Sequence, residues 1–333
     1  MIKNLIKATV ALSIAASVAF GAQGVMFNVA SGDKEAQYET MINEKIESIG
    51  WILSDPHERI NDAYAKRYGN PEDPDYDKEG WTENLDNLGF FSVANDEALR
   101  PLLIKAPELG GFSPFNLHIY KKKSENKTYV GHIVPDTMLD IVGVKDASVR
   151  KEFNAMFPAL DAMVQKEIGG VVETSTFSKL PAQPMMTFEI KFDRPEELAD
   201  YIETFQEQYE EAFEDSKYII AGYKDFKETY IDLELEFEEY DAYFVYSLCH
   251  FTYSYNMFNK GRPDAGVFAP CSMYLYIKKD SNTMVIGMPK LSNWVAVLDM
   301  KDETMKKSAY DLDKEIISIM EGLGAKIKWK KHY

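Results

Sequence analysis

Two stretches of this sequence decide its fold: Ala106-Pro107-Glu108-Leu109-Gly110-Gly111-Phe112-Ser113-Pro114 and Arg262-Pro263-Asp264-Ala265-Gly266-Val267-Phe268-Ala269-Pro270. They lie 156 residues apart and share two prolines, a glycine and a phenylalanine at equivalent positions. The match continues without a gap to the pairs Lys145-Asp146 and Lys301-Asp302. A repeat of this length indicates a duplicated domain, because one repeat unit corresponds to one packed unit of structure.

Each copy predicts the same α+β order of strand, helix, four strands and helix. The opening strands run from Val25 to Ala30 and from Met186 to Phe192, and each leads into a long helix. A segment rich in serine and proline, between about Ser175 and Pro184, breaks the periodicity. The predicted domains are therefore residues 23–178 and 179–333, related by a pseudo-two-fold axis.

Three local patterns predict further details. The second long helix is expected to begin near Asp193, because Asp193 and Glu196 have the spacing of a capping box. The segment from Tyr64 to Glu83, rich in proline, aspartate and glycine, is typical of a solvated loop. Strict alternation from Tyr230 to Glu238 predicts a strand with one acidic face. That acidic row is either a solvated surface or a divalent-cation site.

The N-terminus has the pattern of a secretory signal peptide. Lys3 and Lys7 precede an apolar run from Ala8 to Phe20, and small residues follow between Ala19 and Ala22. The run is shorter than the roughly 20 residues that span a membrane. Residues 1–22 are therefore predicted to be removed, and the mature chain is expected to be a periplasmic protein without a membrane span.

The charge of the chain limits its partners. The formal net charge is -17, and it becomes about -19 without the two lysines of the signal peptide. Nucleic-acid affinity depends on Lys and Arg side chains that face phosphates. A nucleic acid is therefore not an expected partner. The content of 45% apolar residues indicates an ordinary packed globular protein.

The strands that follow the two repeated stretches each have an apolar face and a polar, aromatic face. The polar face carries His118 and Tyr120 in the first copy, and Tyr274 and Tyr276 in the second. Tyrosine covers apolar area while it keeps a polar tip. This face is either the floor of a small-ligand site or a contact between the copies. The duplication favours the contact, in which the copies pack as a pseudo-dimer.

The two cysteines of the sequence, Cys249 and Cys271, both lie in the second copy. In an exported compartment, two cysteines on neighbouring strands most simply form a disulfide. The alternative is a thiol redox or soft-metal site of the copper type, in which Met273 and His250 assist the thiols. Against a shared ion, adjacent residues on a strand point to opposite faces, which separates Cys249 from His250.

Three segments of the second copy resemble the bacterial family known as domain of unknown function 302: Ser247-Leu248-Cys249, Pro263 to Tyr276, and Ile286-Gly287-Met288-Pro289. The first copy keeps the prolines and glycines of the pattern but lacks both cysteines. The resemblance implies a fold like that of the TATA-binding protein in each of two tandem copies. It implies no activity.

Catalytic templates are absent from the sequence. It contains no phosphate-binding glycine loop, no Gly-x-Ser-x-Gly elbow and no His-Glu-x-x-His helix. No cofactor is expected. We therefore predict a non-catalytic module that binds a small molecule or a periplasmic protein. The alternative prediction is thiol redox or soft-metal handling by the cysteine pair.

Overall fold

The structure is a computed structural model that describes residues 21–328. The predicted signal peptide therefore lies outside the described residues, except for Gly21 and for Ala22, which begins the first strand. Within residues 21–328, no helix is both long enough and apolar enough to cross a membrane.

The described chain forms two six-stranded antiparallel sheets with helices, which confirms the predicted α+β class and two similar domains. The first sheet contains β1 (Ala22–Ser31), β2 (Ile52–His57), β3 (Leu85–Ala94), β4 (Phe115–Lys122), β5 (Lys127–Ile133) and β6 (Val171–Phe177). The second contains β7 (Met185–Lys191), β8 (Tyr218–Asp225), β9 (Tyr240–His250), β10 (Cys271–Lys278), β11 (Thr283–Pro289) and β12 (Lys326–Ile327). Both sheets have the same topology, because their strand orders are equivalent: β2-β3-β4-β5-β1-β6 and β8-β9-β10-β11-β7-β12.

Helices follow the strands in a similar order in both halves. The first half has α1 (Glu35–Thr40), α2 (Ile60–Tyr68), α3 (Asp96–Lys105), α4 (Pro135–Val142), α5 (Ala147–Asn154) and α6 (Phe157–Glu167). The second half has α7 (Leu198–Asp215), α8 (Phe226–Asp232), α9 (Phe251–Ser254), α10 (Ser292–Val297) and α11 (Glu303–Gly322). Two of them are extended: α1 by π and 3-10 turns to Ile49, and α9 by a π turn, Tyr255–Asn259.

The repeated stretches of sequence form a 3-10 turn in each half. We call Pro107–Phe112 the first motif turn and Pro263–Phe268 the second. Each is followed by a cis peptide bond, to Pro114 or to Pro270. The strands after them, β4 with β5 and β10 with β11, begin and end at positions that differ by the same 156 residues. The sequence repeat is thus a repeat of local structure.

Amphipathic helices cover one face of each sheet. In α11, the residues Ala309, Leu312, Ile316 and Met320 are buried at helical spacing. Asp302 caps this helix, because its carboxylate accepts a hydrogen bond from the Met305 N–H at 2.8 Å. Capping and the apolar stripe together explain why this stretch becomes a helix that packs on the sheet.

Two local predictions in the second half are wrong. Helix α7 begins at Leu198, with Glu197 as its N-cap, and not near Asp193. The stretch from Tyr230 to Glu238 is not a strand, because Asp225 caps α8 by accepting hydrogen bonds from two backbone N–H groups. The chain then turns, so that the rings of Tyr230 and Phe237 meet 4.7 Å apart. The acidic row, and the cation site that depended on it, are therefore absent.

The segment from Tyr64 to Glu83 is a solvated loop only in part: residues 69–83 form turns and are exposed or half-buried, but Tyr64 and Tyr68 lie in α2 and are buried. Its aromatic residues pack on the second half of the chain. The Tyr64 hydroxyl donates to the Ser254 hydroxyl at 2.8 Å, and Tyr68 stacks on Tyr255 with ring centroids 3.9 Å apart. Burial of these rings outweighs the loop-forming composition around them.

Each motif turn lies on the aromatic face of the other half's sheet. The carbonyl of Pro263, in the second turn, lies 2.7 Å from Nε2 of His118 in β4. In the opposite direction, the Tyr243 hydroxyl of β9 donates to the carbonyl of Pro107 in the first turn. The same kind of contact therefore joins the halves twice, once from each side.

Glycines permit this close approach. A Cβ on Gly266 would lie 2.4 Å from Cε1 of His118, and one on Gly110 would lie 2.3 Å from the Tyr243 hydroxyl. Neither glycine has a positive φ, so the contact with the neighbouring half, rather than the backbone conformation, excludes a side chain.

A small cavity of about 20 Å³ lies between the halves near the cis prolines. Every residue that lines it has its equivalent, 156 positions away, in the same lining. Examples are Phe112 with Phe268, Pro114 with Pro270, and Met138 with Trp294. The volume is sufficient for about one water molecule and not for a ligand.

Replacing Gly266 by alanine should destabilise the protein. The added Cβ overlaps the buried His118 ring, and overpacking of this kind costs about 1–3 kcal/mol. Urea unfolding of Gly266→Ala measures the change in the free energy of unfolding. Gly322→Ala is the matched control, because a Cβ there meets no atom within 4 Å. Equal stabilities of the two variants would contradict the tight contact between halves.

Candidate functional site

The four aromatic residues predicted as a ligand or interface face lie where the two halves meet. His118, Tyr120 and Tyr274 are buried, and Tyr276 is half-buried. They are not covered by the helices of their own half but lie near the motif turn of the other half. These residues thus lie between the halves, and their role as a ligand or interface face stays a prediction.

His118 is enclosed between two backbone carbonyls. Its Nδ1 lies 2.8 Å from the Gly89 carbonyl in β3, and its Nε2 lies 2.7 Å from the Pro263 carbonyl. Both carbonyls stabilise a charged ring, and so does the nearby Asp264. Burial opposes the charge more strongly and lowers the pKa of His118 to about 4. This lowered pKa favours a neutral ring at physiological pH, and a neutral ring has one N–H, so it donates to only one of the two carbonyls.

A stack of rings leads from this buried histidine to the surface. Tyr120 stacks on His118 at 5.4 Å, and Tyr129 of β5 stacks on Tyr120 at 4.4 Å with an interplanar angle of 2°. Phe27 of β1 is edge-on to Tyr120 at 5.6 Å. Tyr129 is only half-buried. The stack thus presents an aromatic floor at the surface of the junction.

This floor belongs to an open cleft of about 420 Å³. The first half contributes strands β1, β4, β5 and β6, and the second half contributes the chain that enters the second motif turn. The lining consists of Val25, Phe27, Tyr120, Lys122, Tyr129, Glu173, Thr174, Ser175, Gly261, Arg262, Pro263 and Asp264. The cleft exists only when the two halves are in contact.

Strand register explains how these side chains come together. Tyr120 is directly opposite Tyr129 in the hairpin of β4 and β5. Phe27 is opposite Gly131 on one side and Glu173 on the other. A Cβ on Gly131 would lie 2.0 Å from the Met26 carbonyl oxygen and 2.6 Å from the Phe27 ring, so both the backbone of β1 and that ring exclude a side chain.

The cations of the cleft are neutralised by carboxylates. Arg262 donates from Nε and Nη2 to the two carboxylate oxygens of Asp264, at 2.9 and 2.7 Å. Lys122 is paired with Glu125 at 3.1 Å. The Tyr129 hydroxyl also donates to Glu125, at 2.6 Å. The Arg262 and Lys122 charges are therefore matched within the protein itself.

Cys249 and Cys271 are free thiols, so the disulfide predicted from the sequence is not formed. In the register of β9 and β10, Cys271 is directly opposite Leu248, so Cys249 is its diagonal neighbour. Both thiols instead line a small apolar cavity of about 20 Å³ in the second half.

The proposed metal ligands are only partly brought together. His250 lines the same cavity as the two thiols, and its Nδ1 accepts a hydrogen bond from the Tyr253 N–H at 3.2 Å. Met273 faces α7, where the Tyr209 hydroxyl donates to its sulfur at 3.2 Å. Within residues 21–328, no three His, Cys, Asp or Glu side chains form a group suited to a metal ion.

The thiols have little thiolate character. Burial raises the pKa of Cys249 to about 11, although the nearby Ser254 hydroxyl acts in the opposite direction. Burial and then the charge of Cys249 raise the pKa of Cys271 further above its ordinary value. Both cysteines are only partly buried, but the thiolate is the nucleophile and the metal ligand, so the raised pKa values disfavour reaction at neutral pH.

Sequence reasoning missed several residues of the cleft, notably Phe27, Tyr129, Glu173 and Arg262. A signal existed for Tyr129, since it and Tyr120 flank a short turn of a hairpin that brings them opposite each other. Arg262 immediately precedes the second motif turn. Glu173 lies in an edge strand that carries no motif, so the sequence alone gave no indication of it.

Comparison with known proteins links the second half to a family without an assigned function. The model of the family described as domain of unknown function DUF302 matches residues 197–323. A crystal structure of an uncharacterized conserved DUF302 protein from Bacillus stearothermophilus is similar, with 19% sequence identity and a TM-score of 0.35. That similarity covers 42% of this chain and 98% of that one. No curated protein matches the chain. The DUF302 resemblance of the first half stays a prediction.

The two cysteines should react slowly in the native protein. We expect negligible labelling by a thiol reagent at about pH 8, and two reactive thiols per chain after unfolding in urea, because burial keeps both sulfurs protonated. The native rate should rise only as the pH approaches about 11. Rapid labelling at neutral pH, or fewer than two thiols in the unfolded and unreduced chain, would contradict this state.

The His118 ring should be neutral throughout the physiological range. Ring ¹⁵N shifts, assigned with a His118→Phe variant, should report protonation near pH 4 in the folded protein and near 6.5 in urea. Because the folded-state pKa is the lower one, the contribution of His118 to stability is complete above pH 6.5. It is lost as the pH falls through about 4. A His118 ring that is charged at pH 6 in the folded protein would contradict this prediction.

Proposed function

We propose that the protein is a non-catalytic binding module whose ligand lies in the cleft between its two halves. The observation that carries the proposal is the cleft itself, which has an aromatic floor in the first half and a wall from the second. Its volume of about 420 Å³ is within the range of small-molecule sites.

The proposal treats the two halves as subunits of a pseudo-dimer. Two observations support it. Each motif turn contacts the sheet of the other half, and equivalent residues of the two copies line the small cavity between them. The cleft departs from this symmetry, since Val285 and Ala106 stand where the other copy has Tyr129 and Arg262. A duplication allows one copy to change in this way while the other keeps the fold.

A binding role fits the chemistry of the cleft better than catalysis. Burial, and then nearby negative charges, raise the pKa of Tyr120, so its hydroxyl is no base at neutral pH. The Asp264 carboxylate is held by Arg262, and Glu125, beside the cleft, is held by Tyr129 and Lys122. A general acid or base needs a pKa near the working pH.

We also propose that the protein is exported to the periplasm, because its N-terminal residues have the pattern of a signal peptide.

A second candidate function is thiol redox or soft-metal handling in the second half. The observation in its favour is that Cys249, Cys271 and His250 line one cavity. The raised pKa of each thiol disfavours it, because a reactive pair needs a thiolate. Metal analysis of protein from its native compartment separates the two candidates, since stoichiometric copper would favour the second.

Binding in the cleft should depend on the aromatic floor. Ligand-observed NMR with a fragment collection of cationic, anionic and neutral compounds should find binders to the native chain. Tyr129→Ala should weaken them by about five-fold or more, because contact with a half-buried aromatic ring contributes roughly 1 kcal/mol or more. Tyr310→Ala is the matched control, since Tyr310 is an exposed tyrosine outside the cleft.

Two results would contradict the proposed site. One is the absence of any binder at millimolar concentration, and the other is a set of binders unaffected by Tyr129→Ala. Urea unfolding of both tyrosine variants would verify that each remains folded under the assay conditions.

A further inference from the structure

We propose that the ligand of this cleft is a small organic cation with an ammonium group, an inference that rests on the proposed function. Three features of the cleft point to this class. They are the electron-rich ring of Tyr129, the unpaired carboxylate of Glu173, and the pairing of the cations Arg262 and Lys122 with carboxylates of the protein.

The aromatic floor is suited to a cation. Tyr129 stacks on Tyr120, is edge-on to Phe27 at 6.3 Å and lines the cleft, and its hydroxyl donates to the Glu125 carboxylate at 2.6 Å. A phenol that donates to an anion has more electron density in its ring. Ligand ammonium groups are attracted to such a face, most strongly when the site removes them from water.

Glu173 supplies the complementary charge. Among residues 21–328, its side chain forms no hydrogen bond or ion pair, although its negative charge acts on the hydroxyls of Tyr120 and Tyr129. The carboxylate is therefore near the tyrosine pair and available to an incoming cation. Asp264 is not available in this way, because both of its oxygens accept from Arg262.

An anionic ligand fits the site less well. To bind one, Arg262 would have to exchange its bidentate partner, and Lys122 would have to leave Glu125. The protein carries a net charge of -17, which attracts cations and repels anions before they reach the cleft. A metal ion is also disfavoured, since no group of three metal-binding side chains occurs in the described part of the chain.

The experiment compares cations with neutral molecules of the same shape. Choline is paired with 3,3-dimethylbutan-1-ol, and putrescine with hexane, each measured by calorimetry or by ligand-observed NMR on the full chain. We expect at least one cation to bind about ten-fold or more tightly than its neutral counterpart. Its affinity should fall as salt is added, because Glu173 is exposed.

Variants locate the binding and give matched controls. Glu173→Gln should weaken the cation by up to about five-fold and leave the neutral molecule unchanged, because it removes an exposed charge but keeps the shape. Glu203→Gln, which alters an exposed carboxylate on α7, should change neither. Both positions are exposed, so both variants are expected to fold.

The outcomes separate this inference from the proposed function. If neutral or anionic fragments bind the cleft in a Tyr129-dependent manner while choline and putrescine do not, the cation inference is overturned and the binding function stands. Equal affinities for a cation and its neutral counterpart would overturn it as well. If no compound of any charge binds, the proposed function itself is wrong.

Discussion

The contact between each motif turn and the other half's aromatic face is the interaction on which the rest of the structure depends. At Gly266 and Gly110, backbone meets a ring or hydroxyl at a distance that no side chain permits. The turn before the cis proline therefore has two functions. It begins the fourth strand of its own half, and it covers the polar face of the other sheet. This explains why that stretch is the most recognisable part of the repeat.

The cleft is a consequence of the same contact. The second motif turn contacts the buried His118, on which Phe90 and Tyr120 both stack. Tyr129 remains half-exposed at the outer end of the stack. Residues that enter the turn, from Gly261 to Asp264, form the opposite wall. The cleft therefore forms only where the two halves associate. Neither half contains the complete lining.

The sequence predicted the features that recur in both copies. The α+β order, the equivalent strands and the polar aromatic face all followed from the 156-residue repeat and from strand alternation. It did not predict features decided by contacts between halves, such as the packing of Tyr64 and Tyr68 on the second half. It also failed at Tyr230 to Glu238, where the cap at Asp225 and the burial of two rings prevail over an apparent alternation. Glu173 could not be found, because only strand register brings it beside Phe27.

The duplication also separates two kinds of chemistry. The second half keeps the thiols, in an apolar cavity that holds them protonated. The first half lacks the thiols and has Tyr129 where its copy has Val285, which opens an aromatic floor at the junction. A ligand in the cleft contacts both halves, so it binds the associated state and not a separated one. By mass action it must then stabilise the junction by an amount set by its concentration relative to its Kd. If the cleft binds a ligand as proposed, ligand binding and the association of the halves are thermodynamically coupled, whatever the molecule.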